Sequence, residues 1–500
     1  MAFIDGTALS IALPAMQAEM NATGADLLWV ANGFSVPLAA LLLLGGGLGD
    51  AFGRKRILVA GIVIFTAASL ACGLAPGVHA LIAARVAQGI GGALMIPGAL
   101  AMISNFFDPA QRGRAIGTWS AFTVLATAVG PVLGGLLAGA DLWRWVFFIN
   151  LPLAAITLAV LLLKIPTDRT PRHRVRVDWW GALCVSAGLA GLTHGLIQWS
   201  QASLEDRAVP VTLLAGALAL IVFVVIQRTV RQPLLPLDIF QSRTLTVASL
   251  LSLLFYVALH GFLFFLPLNL IQVQHYDPAL AGLTQLPLMV LVIVLSRFAG
   301  NLVDRHGPRL PLTIGLALAG VGFWLLATPG VTAGARDFAE AFLPGLLLVG
   351  AGLGLSAAPL STTVIGAVPA KHVGLASGIN STLSRFAAVL AIAILGPVAI
   401  VAFDRSLEAQ IARLGLPAEA LMRLKQESVK LSEARPPANL SPEASIEVKK
   451  AIDLAFVDAF RLIARLAAAL SWVGALLAVC LLGGRAVAKL PPENAPASPS

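Results

Sequence analysis

Two ionisable residues stand in apolar surroundings where a charge is costly: Asp5 in Phe3-Ile4-Asp5-Gly6-Thr7-Ala8-Leu9-Ser10, and Arg85 in Arg85-Val86-Ala87-Gln88-Gly89-Ile90-Gly91-Gly92-Ala93. An acid inside an apolar helix is expensive as an anion, so it can bind and release a proton near neutral pH. The plainer alternative for Asp5 is a carboxylate at a helix end solvated by lipid headgroups. For Arg85 the plainer alternative is a long side chain snorkelling to the interface. Other ionisable residues in or near apolar runs are His194, His260, Arg297, Glu340 and Arg385, of which His260 and Arg385 lie deepest. His260 and Arg385, together with Asn32, Phe34, Gln88, Trp119 and Phe255, are candidates to line a substrate cavity, although aromatic packing toward lipid is the commoner use of such rings. There is no G-x-x-x-x-G-K-[ST] loop to hold a nucleotide, no cluster with metal-ligand spacing and no nucleophile motif, so ATP drive, a metal centre and an enzyme are all disfavoured. Cys72, Cys184 and Cys480 are far apart in apolar runs and read as free core thiols.

The elements that must position these residues are membrane helices. The chain is 58% hydrophobic and only 12% charged, with a mean hydropathy of +0.87, whereas a water-facing globular surface needs about 25% charged residues. Apolar runs long enough to cross a bilayer core recur at 1–16, 28–49, 57–75, 79–103, 114–138, 145–163, 178–199, 210–227, 244–273, 280–303, 310–328, 340–366, 374–403 and 456–484. Backbone groups inside a bilayer must pair internally, which selects helices. The alternating pattern of an outer-membrane barrel is absent. The expectation is an all-α membrane protein with fourteen transmembrane helices. The first is apparently truncated, because Met1 to Pro14 spans only about 21 Å at 1.5 Å per residue, which points to a start codon placed too late.

Basic residues orient the spans. One set of loops carries Arg54, Lys55 and Arg56, then Arg112 and Arg114, Lys164 through Arg176, Arg228 to Arg243, Arg305 and Arg309, Lys371, and Arg485 with Lys489; the opposite loops include Arg207 and Arg336. Positive-inside places the first set and both termini in the cytoplasm of a cell with an inner-membrane location. The net charge of +9 is therefore spent on headgroups and orientation, not on nucleic acid. One outside loop, 404–455, is long and charged, with helical stretches at Ser406–Leu414 and Ala418–Leu431, and the tail 485–500 reads as disordered.

Two echoes mark a duplicated architecture. Gly46-Gly47-Leu48-Gly49-Asp50-Ala51-Phe52-Gly53-Arg54-Lys55 and Gly300-Asn301-Leu302-Val303-Asp304-Arg305-His306-Gly307-Pro308-Arg309 both read G-x-x-x-D-x-x-G-x-K/R, and Gly113-Arg114-Ala115-Ile116-Gly117 pairs with Gly374-Leu375-Ala376-Ser377-Gly378. The division expected is a six-helix bundle over 1–163, two inserted helices with basic loops over 164–243, and a second six-helix bundle over 244–484. Asp50 and Asp304 are each candidates to meet a helix N-terminus of the other half, near Gly374 and Gly113, where the helix dipole favours an anion. Gly46, Asp50, Gly53, Arg54, Lys55, Asp304, Arg305 and Gly307 would then form a cytoplasmic gate. Gly130-Pro131 with Gly134-Gly135 is a kink with room for a second backbone.

These stretches together resemble the major facilitator superfamily, and within it the fourteen-helix drug:proton antiporters of the EmrB/QacA type. The Asp50 loop is similar to that superfamily's loop between helices two and three. Arg85–Gly92 is similar to its helix-four motif, and Gly130–Gly135 to the antiporter motif of helix five. Asp5, Thr7 and Ala12-Leu13-Pro14 match the first-helix motif, and Trp143-Arg144-Trp145-Val146-Phe147-Phe148-Ile149-Asn150-Leu151-Pro152 the start of helix six. Departures are Ala51 for a basic residue, Ala126 for a glycine and Phe34 for a common tyrosine. The resemblance implies two bundles around a central cavity, with export of lipophilic, often cationic compounds driven by the proton gradient and needing no cofactor. Asp5 would be the proton site and Arg85 its charged partner. Protons, membrane lipids and the transported compounds are the implied partners, with a periplasmic adaptor as a further one in relatives from double-membrane bacteria. A narrow-range exporter of one metabolite or antibiotic has the same mechanics.

Overall fold

The computed structural model describes residues 1–106, 109–165, 178–201, 208–230, 233–367, 373–437 and 440–482. Every regular element in them is helical. The first part of the chain forms α1 (Ala2–Met20), α2 (Gly24–Phe52), α3 (Arg54–Gly73), α4 (Val78–Phe106), α5 (Pro109–Gly139), the single turn α6 (Trp145–Phe148) and α7 (Asn150–Lys164). A hairpin of α8 (Trp179–Gln201) and α9 (Ala208–Thr229) follows. The remainder forms α10 (Arg243–Leu268) with a π-helical turn at Asn269–Val273, α11 (Pro278–Leu283), α12 (Leu286–His306), α13 (Arg309–Leu326), α14 (Phe338–Ala341), α15 (Leu343–Gly366), α16 (Val373–Ile411), α17 (Ala418–Glu427) and α18 (Pro442–Leu481).

Twelve of the described helical stretches are long and apolar enough to cross a membrane. The solvent they face is legible in α9. It is the most apolar span, with a mean hydropathy of 2.8, yet only Val209, Gly216 and Gln227 are buried along it. Leu214, Leu218 and Ile221 point outward, which is stable against lipid and not against water.

The helix pairings of the first part recur in the last. In the first, α1 packs on α5, and α4 packs on both α2 and α3; in the last, α10 packs on α16, and α15 packs on both α12 and α13. Contact of α3 with α7 is matched by α13 with α18, and the α8–α9 hairpin leans on α2 and α16. The sequence echo at the two short loops has the same backbone form in both copies. Gly53 ends α2 with φ 103° and its N–H bonded to Gly49 O, and Gly307 ends α12 with φ 75° and its N–H bonded to Val303 O. Left-handed backbone at a helix end is where glycine is favoured over any residue with a Cβ.

The 404–455 stretch is more helical than expected. α16 continues to Ile411, and α18 begins at Pro442, capped by the Ser441 side chain. Cys480, expected in the core, is exposed, while Cys72 is buried.

Candidate functional site

Close packing brings α1, α2, α4 and α5 together. A methyl group added at Gly130 or Gly134 of α5 would collide with Thr7 or with the Ala8 carbonyl of α1, and one at Gly89 of α4 would land on the Phe34 carbonyl of α2. These bare backbones let α1 and α4 approach a common centre, where Asp5 and Arg85 meet.

Asp5 is fully buried and Arg85 is 1% exposed. Arg85 Nη1 donates to Asp5 Oδ2 at 2.5 Å and to Gln88 Oε1 at 2.7 Å, and its Nε donates to the Val30 carbonyl at 3.2 Å. The other carboxylate oxygen, Oδ1, accepts from Gln88 Nε2 at 2.9 Å and Asn150 Nδ2 at 3.4 Å. Asn150 also donates to Ser69 Oγ at 3.0 Å, and Ser69 donates to the Phe147 carbonyl at 2.9 Å. The Phe34 ring covers the guanidinium at 4.5 Å. A buried ion pair costs desolvation of both partners, and only dense hydrogen bonding of this kind offsets it. Removing the charge of Asp5 would leave Arg85 without this counter-ion.

A cavity of about 610 Å³ lies beside this cluster, between the two repeats. Its walls include Phe3, Thr7, Phe34 and Arg85 from the first part, and Tyr256, His260, Gln285 and Arg385 from the last. Asp5 is not on the wall, whereas its partner Arg85 is. The walls reach Ala2, Leu42, Ile96 and Asn380, toward the face that carries the N-terminus.

The opposite face is closely packed. A methyl at Gly135 would strike the Pro278 carbonyl and one at Gly282 the Pro131 carbonyl, so α5 and α11 touch through their backbones. Gln272 Nε2 donates to Gln17 Oε1 at 2.8 Å, Gln17 Nε2 donates to the Lys430 carbonyl at 2.8 Å, and Ser432 Oγ donates to Gln272 Oε1. This chain of bonds joins α1, the π turn and the segment after α17. Nearby, Glu19 accepts from Trp143 Nε1 and from Arg144 at 2.8 Å, and Arg144 also donates to the Gly73 and Ala75 carbonyls at 3.0 and 2.9 Å. Hydrogen bonds from Arg144 first, then from Trp143, hold the Glu19 carboxyl below its usual range.

The expected site residues divide. Asp5, Arg85 and Gln88 form one cluster. Phe34, His260 and Arg385 line the cavity. Asn32, Gln88 and Phe255 do not: Asn32 is buried with neither amide atom partnered, Gln88 is turned to Asp5, and Phe255 packs on Tyr256 behind the wall. Among the gate residues, Lys55 donates to the Ile165 carbonyl within its own half, Arg305 is exposed, and Gly46 sits in ordinary contact with Pro97. The side chains of Asp50, Asp304 and Trp119, and of residues 113–117 and 374–378, lie outside the described residues. Sequence reasoning did not single out Ser69, Gln17, Gln272, Ser432 or Glu19, whose roles depend on partners up to 413 residues away.

A family model described as Major Facilitator Superfamily matches residues 1–392. The chain belongs to the major facilitator superfamily. Membership makes it a membrane transporter rather than an enzyme. It is similar to the multidrug resistance protein Stp of Mycobacterium tuberculosis (strain CDC 1551 / Oshkosh), at 32% identity over 97% of this chain and 89% of that one. It is also similar to the tetracenomycin C resistance and export protein of Streptomyces glaucescens, at 31% identity over 96% and 89%. Among solved structures, a bacterial homologue of the human lysosomal transporter Spinster, inward-facing and occupied, superposes with a TM-score of 0.57 at 20% identity, covering 94% of this chain and 93% of that one. That likeness shows the major facilitator fold.

Proposed function

We propose that this major facilitator protein is a proton-coupled exporter of lipophilic or otherwise toxic compounds across the cytoplasmic membrane. The observation that carries the reading is the buried Asp5–Arg85 pair, in which Arg85 lines the central cavity and Asp5 does not. A proton arriving at Asp5 frees Arg85, and a compound in the cavity meets Arg85 on the wall; the two events act on one side chain. Export is supported by relatives named for resistance to or export of antibiotics, at 31–34% identity. To the twelve apolar spans we add α1 and α5, giving fourteen crossings arranged as six, two and six, with domains at 1–163, 164–243 and 244–484. Both termini then lie in the cytoplasm, and the cavity faces inward with the outer side closed.

The test is compound-triggered proton release from inverted membrane vesicles, with the parent protein and an Asp5→Asn variant. Release that requires Asp5 is the expected result. Vesicles that carry inserted protein and stay silent to a broad panel would overturn the multidrug reading. A narrow-range exporter is the second reading, favoured by relatives named for single compounds such as tetracenomycin C and puromycin.

A further inference from the structure

The wall of the central cavity carries two guanidiniums, Arg85 and Arg385, one imidazole, His260, and no Asp or Glu among the described residues. Arg85 is neutralised by Asp5 behind it. Arg385 has no such partner: every ion pair among the described residues lies elsewhere. Its guanidinium rests instead over the Phe3 ring, 5.1 Å from the centroid. Stacking on an aromatic face leaves the N–H edge of a guanidinium free for a planar, bidentate acceptor. Further unspent polar groups share the wall. Gln285 Nε2 is buried without an acceptor, and Asn380 donates to Ser361 at 3.1 Å while its own carbonyl has no donor. Beside them Tyr256 and His260 lie nearly parallel, 29° apart with centroids at 6.1 Å, and Phe34 and Phe264 complete an apolar surface.

An unpaired cation in a membrane interior is expensive and usually faces a pathway or a ligand that supplies the opposite charge. We infer that the cargo of this cavity is an aromatic compound bearing an acidic group, a carboxylate or ionised phenol, which docks on Arg385 with its rings against the Tyr256–His260 side. A lipophilic cation would meet a wall with one uncompensated positive charge and no described carboxylate to receive it. This inference rests on the exporter reading only in taking the cavity as the cargo site.

The test is equilibrium binding to the full chain in lipid nanodiscs, without any gradient, of three fluorescent tricyclic probes of one shape: anthracene-9-carboxylate, anthracene-9-carboxamide and 9-(aminomethyl)anthracene. Empty nanodiscs correct for partition into lipid. The carboxylate is expected to bind about tenfold or more tightly than the amine, the size of one charge-assisted hydrogen-bonded contact. Arg385→Gln should remove that preference by weakening the carboxylate while leaving the amide unchanged, and Arg385→Lys, which keeps the charge, should retain part of it. The inference is overturned if the amine binds as well as the carboxylate. It is overturned too if Arg385→Gln weakens all three probes alike, as loss of a purely structural contact with Phe3 would, or if none of the three binds. A preserved carboxylate preference with no proton release in vesicles would overturn proton coupling and leave the charge assignment standing.

Discussion

Replacing Asp5 with Asn keeps the shape of the side chain and removes one charge from the most deeply buried ion pair described in the molecule. Asp5 accepts with both oxygens, from Arg85 on one and from Gln88 and Asn150 on the other. An amide accepts with one atom only, and its NH2 would be pushed against donors. Arg85, 1% exposed, would be left charged without a counter-ion, a loss of about 3–5 kcal/mol by the usual cost of breaking a buried pair. Arg85→Gln should cost a similar amount by stranding the carboxylate. The double variant Asp5→Asn/Arg85→Gln carries neither charge and should recover most of either loss, with a coupling energy of at least about 2 kcal/mol. Unfolding of the purified single and double variants in lipid, followed by tryptophan fluorescence, measures it, and proton release in vesicles should vanish in all three. Losses that add to within about 0.5 kcal/mol would refute the reasoning, because they would mean that Asp5 is not an anion opposite Arg85.

Three other outcomes follow from the same geometry. Gly134→Val places a branched side chain on the Ala8 carbonyl and should destabilise the protein by about 1–3 kcal/mol or more through overpacking, abolishing proton release before it abolishes binding of cargo; thermal unfolding and vesicle assays run together check this. Gln272→Ala removes bonds to Gln17 and from Ser432, each of about 0.5–1.5 kcal/mol, so hydrogen exchange in α11 should speed up about tenfold while exchange in α4 is unchanged. The pH dependence of Glu19 runs one way. Its folded pKa is depressed, so its stabilisation is present above the ordinary carboxylate range and disappears as pH falls through the folded value. Glu19→Gln should therefore be less stable than the parent at pH 7, by about 1 kcal/mol or less for a half-exposed pair, with the difference closing on acidification toward pH ~3; unfolding midpoints measured across pH test it.

Much of the fold was legible because lipid as a solvent imposes strong rules. Runs of apolar residues and the siting of Lys and Arg follow from the bilayer alone, and the two Gly-Asp-Gly loops betrayed a duplication that the helix pairings repeat. Asp5 and Arg85 stood out for the same reason: a charge in an apolar run needs a partner. What could not be read was which face each helix turns inward. A helix that is apolar all round has no polar stripe to mark its lipid side, since lipid and protein core are equally apolar. Asn32, Gln88 and Phe255 were accordingly expected on the cavity wall and lie behind it, and the unpaired state of Arg385 was invisible.

The sequence by itself thus determined the solvent, the helical class, the duplicated plan and the residues under electrostatic stress, because each depends on composition or local spacing. Only the tertiary structure decided that Asp5 meets Arg85 across 80 residues, that Asn150 and Ser69 complete their shell, that Gln17 and Gln272 join remote segments at one face, and that Arg385 faces the cavity with no ion-pair partner among the described residues. Those are facts of distance between remote segments, set by where bare glycine backbones on α4 and α5 allow their neighbours to approach.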